Sequence, residues 1–437
     1  MSLPRYPEYK PSGVEWLGEV PEHWDVKRVK LLFNVGRGRV IAQDELIVEG
    51  IYPVFSSQTL DDGCLGYINT YDFDCKQITW TTDGANAGTV FLREGKHNCT
   101  NVCGTLQTKN DLQLIEYIFY CLQYATQFYK RPDTNGAKIM NGEMAEIFVT
   151  LPSPEEQQTI AAFLDCETGK IDALIAEQQR LVELLAEKRR AVISHAVTQG
   201  LPSTSSGRGS NVPLKDSGIA WLGEVPAHWE VKRIKRLIHS IEQGWSPQCE
   251  GFPVETSDEW GVLKVGCVNG GRFNPAENKT LPDNLEPIAT LGIEKNDVLI
   301  SRANSRELVG SAAVAQENYP RLMLCDKLYR LKMVVDLCLP EFLVFYLGIG
   351  MTRSQIELAA SGASSSMLNI AQSTILELEI ALPNLEEQLT ITTFLERAIA
   401  QFDILTAEAN RAIILLQERR SALISAAVTG KIDVRGQ

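Results

Sequence analysis

Apolar positions recur every seven residues through LPSPEEQQTIAAFLDCETGKIDALIAEQQRLVELLAEKRRAVISHAVTQG, the stretch from Leu151 to Gly200. One row is Leu164, Ile171, Gln178, Leu185 and Val192; a second is Ile160, Glu167, Leu174, Leu181 and Lys188. Rows offset by three and four make the seam of a coiled coil, so the spacing predicts one long helix and a partner helix for it. Glu167, Gln178 and Lys188 weaken the seam, which asks for a specific partner and not any apolar surface. Ser153 can cap this helix, Pro154 suits its first position, and Glu156 stands where it can close a capping box. Gly169 marks a soft point within it. At about 1.5 Å per residue, a helix of roughly 45 residues would run roughly 65 Å.

The pattern occurs twice. From Leu382, LPNLEEQLTITTFLERAIAQFDILTAEANRAIILLQERRSALISAAVTG repeats the element at an offset of 231 residues (382 − 151). Asn384 and Glu387 repeat the cap and its partner. The second seam reads Leu395, Phe402, Ala409, Leu416, Leu423 against Ile391, Ala398, Leu405, Ala412, Arg419. A shorter segment repeats too: SGVEWLGEVPEHWDVKRVKLLF at 12–33 returns as SGIAWLGEVPAHWEVKRIKRLI at 217–238, identical at 15 of 22 positions. Each half is therefore a globular region followed by a long helix.

The globular contents, about 34–150 and 239–381, differ in sequence and length. In the first, CKQITWTT and AGTVFL read as strands and LQLIEYIFYCLQYATQFY as a helix. In the second, NDVLISRA, GSAAVA and CDKLYRLKMVV read as strands and PEFLVFYLGIGMTRSQIELAA as one helix. A polar loop follows each helix, RPDTNGAKIMN in the first and SGASSSMLN in the second. The expected fold class is α+β: two mixed α/β heads joined by two long helices in an antiparallel coiled coil, a pseudo-two-fold internal repeat. Expected divisions are a first head at 1–152, a helix at 153–199, a flexible Gly/Ser/Pro linker at 200–213, a second head at 214–383 and a helix at 384–437. The linker favours antiparallel helices. Its fourteen residues span at most ~50 Å, at about 3.5 Å each, too short to return along a 65 Å rod.

With 437 residues, 44% hydrophobic and 22% charged, the chain has the composition of a soluble, multi-domain protein. No apolar run approaches the ~20 residues of a membrane span, and the first residues lack a signal-peptide core. Ten cysteines without C-x-x-C pairs read as reduced thiols, although His97, Cys99 and Cys103 stand close in sequence. The formal charge of −13 argues against a free-standing non-specific nucleic-acid binder. Phosphate-loop, zinc-helix and nucleophile-elbow motifs are missing, so no catalytic or metal-binding residue is assigned. His23 and His228 recur beside Trp24 and Trp229 without an adjacent nucleophile.

Basic and amide side chains in the heads carry more information, because Arg or Lys reads guanine and Asn or Gln reads adenine in the major groove. In the first head the loops Thr81–Gly88 and Lys130–Lys138 offer Thr82, Asn86, Lys130, Arg131, Asn135 and Lys138 as DNA contacts. In the second, Trp245, Arg272, Ser301, Arg302, Asn304, Arg306, Ser364 and Ser365 are the equivalents. Ordinary turn chemistry explains the same Gly, Asn, Asp and Ser residues. Lys27, Arg28, Lys30 and Lys232, Arg233, Lys235, Arg236 could meet phosphates or line a solvated edge. Arg189–Arg190 and Arg419–Arg420 complement the negative ends of their helices.

The segments SGxxWLGEVPxHW, LPxxEEQxxIxxFL and (A/L)ISxAVT, each present twice, resemble the specificity subunit of Type I restriction-modification enzymes. SRANSRELVG at 301–310 and TDGANAG also resemble segments of that family's target-recognition domains. The resemblance covers almost the whole chain. It implies a non-catalytic, cytoplasmic DNA-reading subunit whose two target-recognition domains each read one half of a bipartite site in double-stranded DNA. It further implies that the helix pair sets the unread spacer and docks two methylation subunits, which restriction subunits can join. Under the same resemblance this chain binds no cofactor, while S-adenosylmethionine, ATP and Mg2+ belong to the partner subunits. A scaffold that has lost DNA reading and a self-sufficient methyltransferase are the competing readings.

Overall fold

The computed structural model describes residues 4–109, 114–134, 136–201, 213–256, 258–364 and 367–436. The linker at 200–213 therefore lies largely outside the described residues, as do Asn135 and Ser365 and the side chain of Ser364. The chain forms two compact units: Met1–Arg180 with Ala409–Gln437, and Leu181–Glu408. This division does not follow the chain linearly, because each unit takes one head and one end of each long helix.

In the first unit a four-stranded sheet runs Val90–Arg93, Gln77–Thr81, Cys103–Thr108, Phe33–Arg37. Its inward face packs on the helix Ile115–Ala125, whose Tyr117, Ile118, Cys121 and Leu122 are buried in one core with Ile78, Trp80 and Leu106. A second sheet runs Cys64–Ile68, Tyr52–Phe55, Lys96–Cys99, Phe73–Asp74, with Tyr52–Phe55 and Lys96–Cys99 parallel. His97 is buried there, stacked on Phe73 and hydrogen-bonded to Gln77 (2.8 Å) and the Gly95 carbonyl (2.8 Å). The hairpin Tyr9–Pro11/Glu19–Pro21 packs beside the chain end, where Tyr9 Oη donates to the Gly430 carbonyl at 2.9 Å.

The second unit repeats this topology although its contents differ in sequence. Ala312–Val314, Val298–Ser301, Leu328–Met333 and Ile238–Gln243 form the first sheet; Asn278–Thr280, Gly261–Leu263, Tyr319–Met323 and Gly292–Ile293 form the second. The parallel pair recurs, here between Gly261–Leu263 and Tyr319–Met323. One expectation is corrected. PEFLVFYLGIGMTRSQIELAA is two helices, Pro340–Gly348 and Gly350–Ala359, broken at the buried, extended Ile349 between two glycines. Glycine weakens a helix, and burying Ile349 outweighs two residues of poor helix former.

The long helices span Pro154–Gln199 and Leu385–Val428, the first passing Gly169 without a break. In the first unit the opening of one lies beside the close of the other. Thr150 Oγ1 donates to the Val428 carbonyl at 2.7 Å, and further along Arg420 Nε donates to Asp172 Oδ1 at 2.8 Å. In the second unit Arg189 Nη1 meets Asp403 Oδ1 at 2.5 Å, and beyond it Ala196 and Val197 share a core with Ile391, Leu395 and Ile399. Each unit thus holds the two helices antiparallel. Because Asp172 and Arg189 become Asp403 and Arg420 at the repeat offset of 231 (403 − 172; 420 − 189), the two ion pairs are repeat equivalents. Arg189 and Arg420 therefore cross-link the helices within their units, a role the dipole reading had not given them.

The seam itself is half corrected. The first predicted row holds: Leu164, Ile171 and Leu185 are buried, as is Leu395, while Phe402, Leu416 and Leu423 are partly covered. Ile160 and Ile391 are also buried, within the head cores. The second row fails, with Leu174, Leu181 and Leu405 exposed by 46%, 41% and 46%. The covered row stands one residue later, at Thr168, Ile175, Val182 and Arg189, and at Ile399, Thr406, Ile413 and Arg420. Spacings of three and of four after the first row are both compatible with a heptad. Helix rotation decides between them, and it is fixed where Ile160, Ala161 and Leu164 enter the first head's core.

The helix caps join the two repeated motifs. Ser153 Oγ and Asn384 Oδ1 accept from the backbone of Glu156 (3.3 Å) and Glu387 (2.9 Å), as the cap pattern predicts. The two glutamates do not close the box. Glu156 accepts from Tyr6 Oη (2.7 Å) and bonds His23 Nε2 (2.9 Å); Glu387 bonds His228 Nε2 (2.8 Å) and accepts from Trp229 Nε1 (3.1 Å). Each histidine thus ties the strand entering a head to the helix leaving it.

Candidate nucleic-acid interface

In the first unit the polar loop after the head helix is a hairpin, Arg131–Asp133 paired with Gly136–Lys138. Its second strand pairs with Asp83–Gly84, from the loop that carries Asn86. Two segments some fifty residues apart in sequence (133 − 83) so become one three-stranded sheet. The second unit builds the same device: Ser361–Ser364 and Met367–Asn369 form a hairpin, and Ala303–Asn304 adds to it. The loops expected to be irregular are strands because a neighbouring edge was available to satisfy their backbone groups.

These sheets gather most of the predicted contact residues. Asn86 and Lys130 are exposed; Arg131 pairs with Glu143 at 2.8 Å and Lys138 with Asp133 at 3.1 Å. Asn304 Nδ2 donates to Ser301 Oγ at 3.3 Å, Arg302 Nη1 donates to the Asp326 carbonyl at 3.3 Å, and Arg306 is exposed. Trp80 anchors the first sheet: its Nε1 donates to the Ile139 carbonyl at 2.9 Å, one residue past Lys138. The indole lies so close on its neighbouring strand that a Cβ at Gly104 would fall 2.2 Å from the ring.

Other predicted residues stand elsewhere. Thr82 and Ser301 are buried, Thr82 Oγ1 donating to the Val102 carbonyl at 3.0 Å, so both hold their loops and neither offers a hydroxyl to DNA. Trp245 is half-buried against the core of the second head, and its backbone N–H donates to the Leu324 carbonyl at 3.0 Å. Arg272 pairs with Asp403 of the second long helix at 3.0 Å. The repeated basic residues are also engaged. Arg28 and Lys30 pair with Glu146, Lys232 with Glu230 and Arg233 with Glu377, partly exposed ion pairs of the kind a solvated edge carries. What sequence reading missed was Glu143, Glu146 and Glu377, the last two far along the chain from the cations they neutralise.

Set beside known proteins, the chain matches the family model for the Type I restriction modification DNA specificity domain over residues 21–184 and 226–413. The chain belongs to that family. The two matched segments each comprise most of one head and most of its long helix, so the family unit is itself the repeat. This specificity-domain chain is 32% identical over 173 residues to the Type I restriction enzyme EcoEI specificity subunit of Escherichia coli, a match over 40% of this chain and 29% of that one. To the MjaVIII specificity subunit of Methanocaldococcus jannaschii it is 25% identical over 439 residues, 95% of this chain and 94% of the other. A chain from a structural study of assembly and conformational transition of the type I R-M system shares its fold, with a TM-score of 0.61, 16% identity and 94% and 98% of the two chains covered. No helix among the described residues is long and apolar enough to cross a membrane.

Proposed function

We propose that this specificity-domain chain is the DNA-reading subunit of a Type I restriction-modification system. The observation that carries the reading is the pair of three-stranded sheets, one in each unit, each built from two distant chain segments with amide and basic side chains on or beside their strands. Asn86 and Asn304 have the side-chain chemistry to bond adenine edges, and Lys130 and Arg306 can meet guanine or phosphate. Each head reads one half of a bipartite target, and the helix pair sets the unread spacer between the halves. The chain contributes recognition and no chemistry: adenine methylation with S-adenosylmethionine, and ATP- and Mg2+-dependent cleavage, reside on methylation and restriction subunits in the cytoplasm.

Support for docked subunits comes from apolar side chains left outside the helix seam. Ile414 and Leu415, 55% and 54% exposed, stand on the second helix within the first unit. Uncovered neighbours of this kind mark interaction surfaces more often than isolated ones do. Replacing both by aspartate is expected to abolish co-purification with the methylation subunits while leaving the melting temperature of the chain within a few degrees. Retained co-purification would remove these residues from the interface.

The reading is tested by exchanging residues 34–150 for the corresponding segment of a relative and sequencing the methylated sites in cells that express the complex. One half-site is expected to change; the other half-site and the spacer stay as they were. Change in both halves, or methylation with no bipartite sequence, defeats it.

A further inference from the structure

The segment Ser56–Gly63 leans on the candidate surface of the first unit. Asn86 Nδ2 donates to Thr59 Oγ1 at 3.1 Å, joining the loop tip to the loop that carries Asn86. The next residue, Leu60, is 78% exposed. An exposed leucine by itself needs no explanation. The way this one is held does.

Asp61 and Asp62 both occupy the left-handed region, with φ of 49° and 55°. Aspartate tolerates this region as a single residue; two in succession persist where the surrounding structure holds them. Here the enforcement is a buried arginine. Arg93 Nη1 meets Asp62 Oδ2 at 2.5 Å and Nη2 donates to the Asp62 carbonyl at 2.5 Å. The guanidinium lies over Phe55 at 3.7 Å and Phe91 at 4.4 Å, and its Nε donates to Thr79 Oγ1 at 3.3 Å. The base of the loop is closed by Ser56 N–H donating to the Gly63 carbonyl at 3.0 Å. A planar cation locked by two rings and a sheet hydroxyl therefore sets the loop from inside the head. The outcome is one apolar side chain presented to water beside an exposed asparagine.

Apolar side chains that meet a DNA base edge do so at the thymine methyl, the one apolar group in the major groove. The Asp61 carboxylate next to the leucine is repelled by phosphates, which disfavours a backbone-anchoring role. We propose that Leu60 is a specificity residue of the first head, packing against a thymine methyl next to the base read by Asn86. The inference rests on the DNA-reading function proposed above. Arg93 is its positioning residue, acting through Asp62.

The test uses the complex with methylation subunits and a duplex panel in which each base pair of the first half-site is varied. Leu60→Ala is expected to lower the preference for thymine at one position about fivefold or more, a fold-change set by one apolar contact. The second half-site, the spacer and the melting temperature stay unchanged, as they should for Val335→Ala, an exposed residue of the other unit. Deoxyuridine in place of that thymine removes only the methyl. It should weaken the wild-type complex as much as Leu60→Ala does and weaken the variant no further. Unaltered preference at every position in Leu60→Ala overturns the inference while the DNA-reading function stands. A wild-type complex that selects no bipartite site overturns both.

Discussion

Trp80→Ala is expected to destabilise the first unit by about 3–5 kcal/mol, the range for deleting a large buried aromatic side chain. The ring is fully buried between the first head's main sheet and its helix. Its loss also strips the Ile139 carbonyl of its donor, at the end of the strand that carries Lys138. A buried carbonyl without a partner adds its own cost. The variant should therefore melt in two steps, the lower one belonging to Met1–Arg180 with Ala409–Gln437. Selection at the first half-site should be lost at temperatures where the second half-site is still read. Calorimetry and DNA selection on one preparation test this together; a single unshifted transition, or equal loss at both half-sites, would show that Trp80 does not support the first sheet.

Four residues added to both long helices should lengthen the preferred spacer and leave both half-site sequences intact. The natural points are after Arg180 and after Arg411, equivalent at the repeat offset of 231 (411 − 180). Four helical residues add about 6 Å, close to two base-pair steps at about 3.4 Å each. A four-residue insertion is a stutter, which coiled coils absorb by local unwinding. Both insertions fall clear of Asp172, Arg189, Asp403 and Arg420, so the cross-helix ion pairs can reform. Sequencing of methylated sites reads the result. An unchanged spacer, or a new half-site at the old spacer, would remove the helices from the measuring role.

The ion pairs themselves have a smaller expected influence. Arg189, Asp403, Arg420 and Asp172 are all between about a quarter and a half exposed. Solvent screening holds such pairs to about 0–1 kcal/mol. The register of the helices rests on the head cores, in which Leu164, Ile424 and Val428 are buried in one unit and Ile391 and Leu395 in the other.

Local and repeated features were open to reading from the chain. Seven-residue spacing gave both long helices and one row of their seam, because a helix places every seventh residue on nearly the same face whatever surrounds it. Duplicated segments gave two equivalent halves, and Ser153 and Asn384 gave the caps, since a cap is a contact across three residues. Side-chain chemistry singled out loop segments that folding then brought together: Asn86, Lys130, Asn304 and Arg306 all stand on or beside the two small sheets.

Packing alone decided the rest. Which of two heptad-compatible rows faces the partner helix depended on how Ile160 and Leu164 seat in the head, so Leu174 and Leu181 turned outward and Thr168 and Ile175 inward. Whether a polar loop is a turn or a strand depended on a neighbouring edge, which Asp83–Gly84 and Ala303–Asn304 supplied from far along the chain. Whether a cation is free for DNA depended on a carboxylate that folding brought to it, as Glu146 came to Arg28 and Asp403 to Arg272. Spacing along a chain fixes contacts within a few residues; contacts between distant residues form only once every element has chosen its orientation.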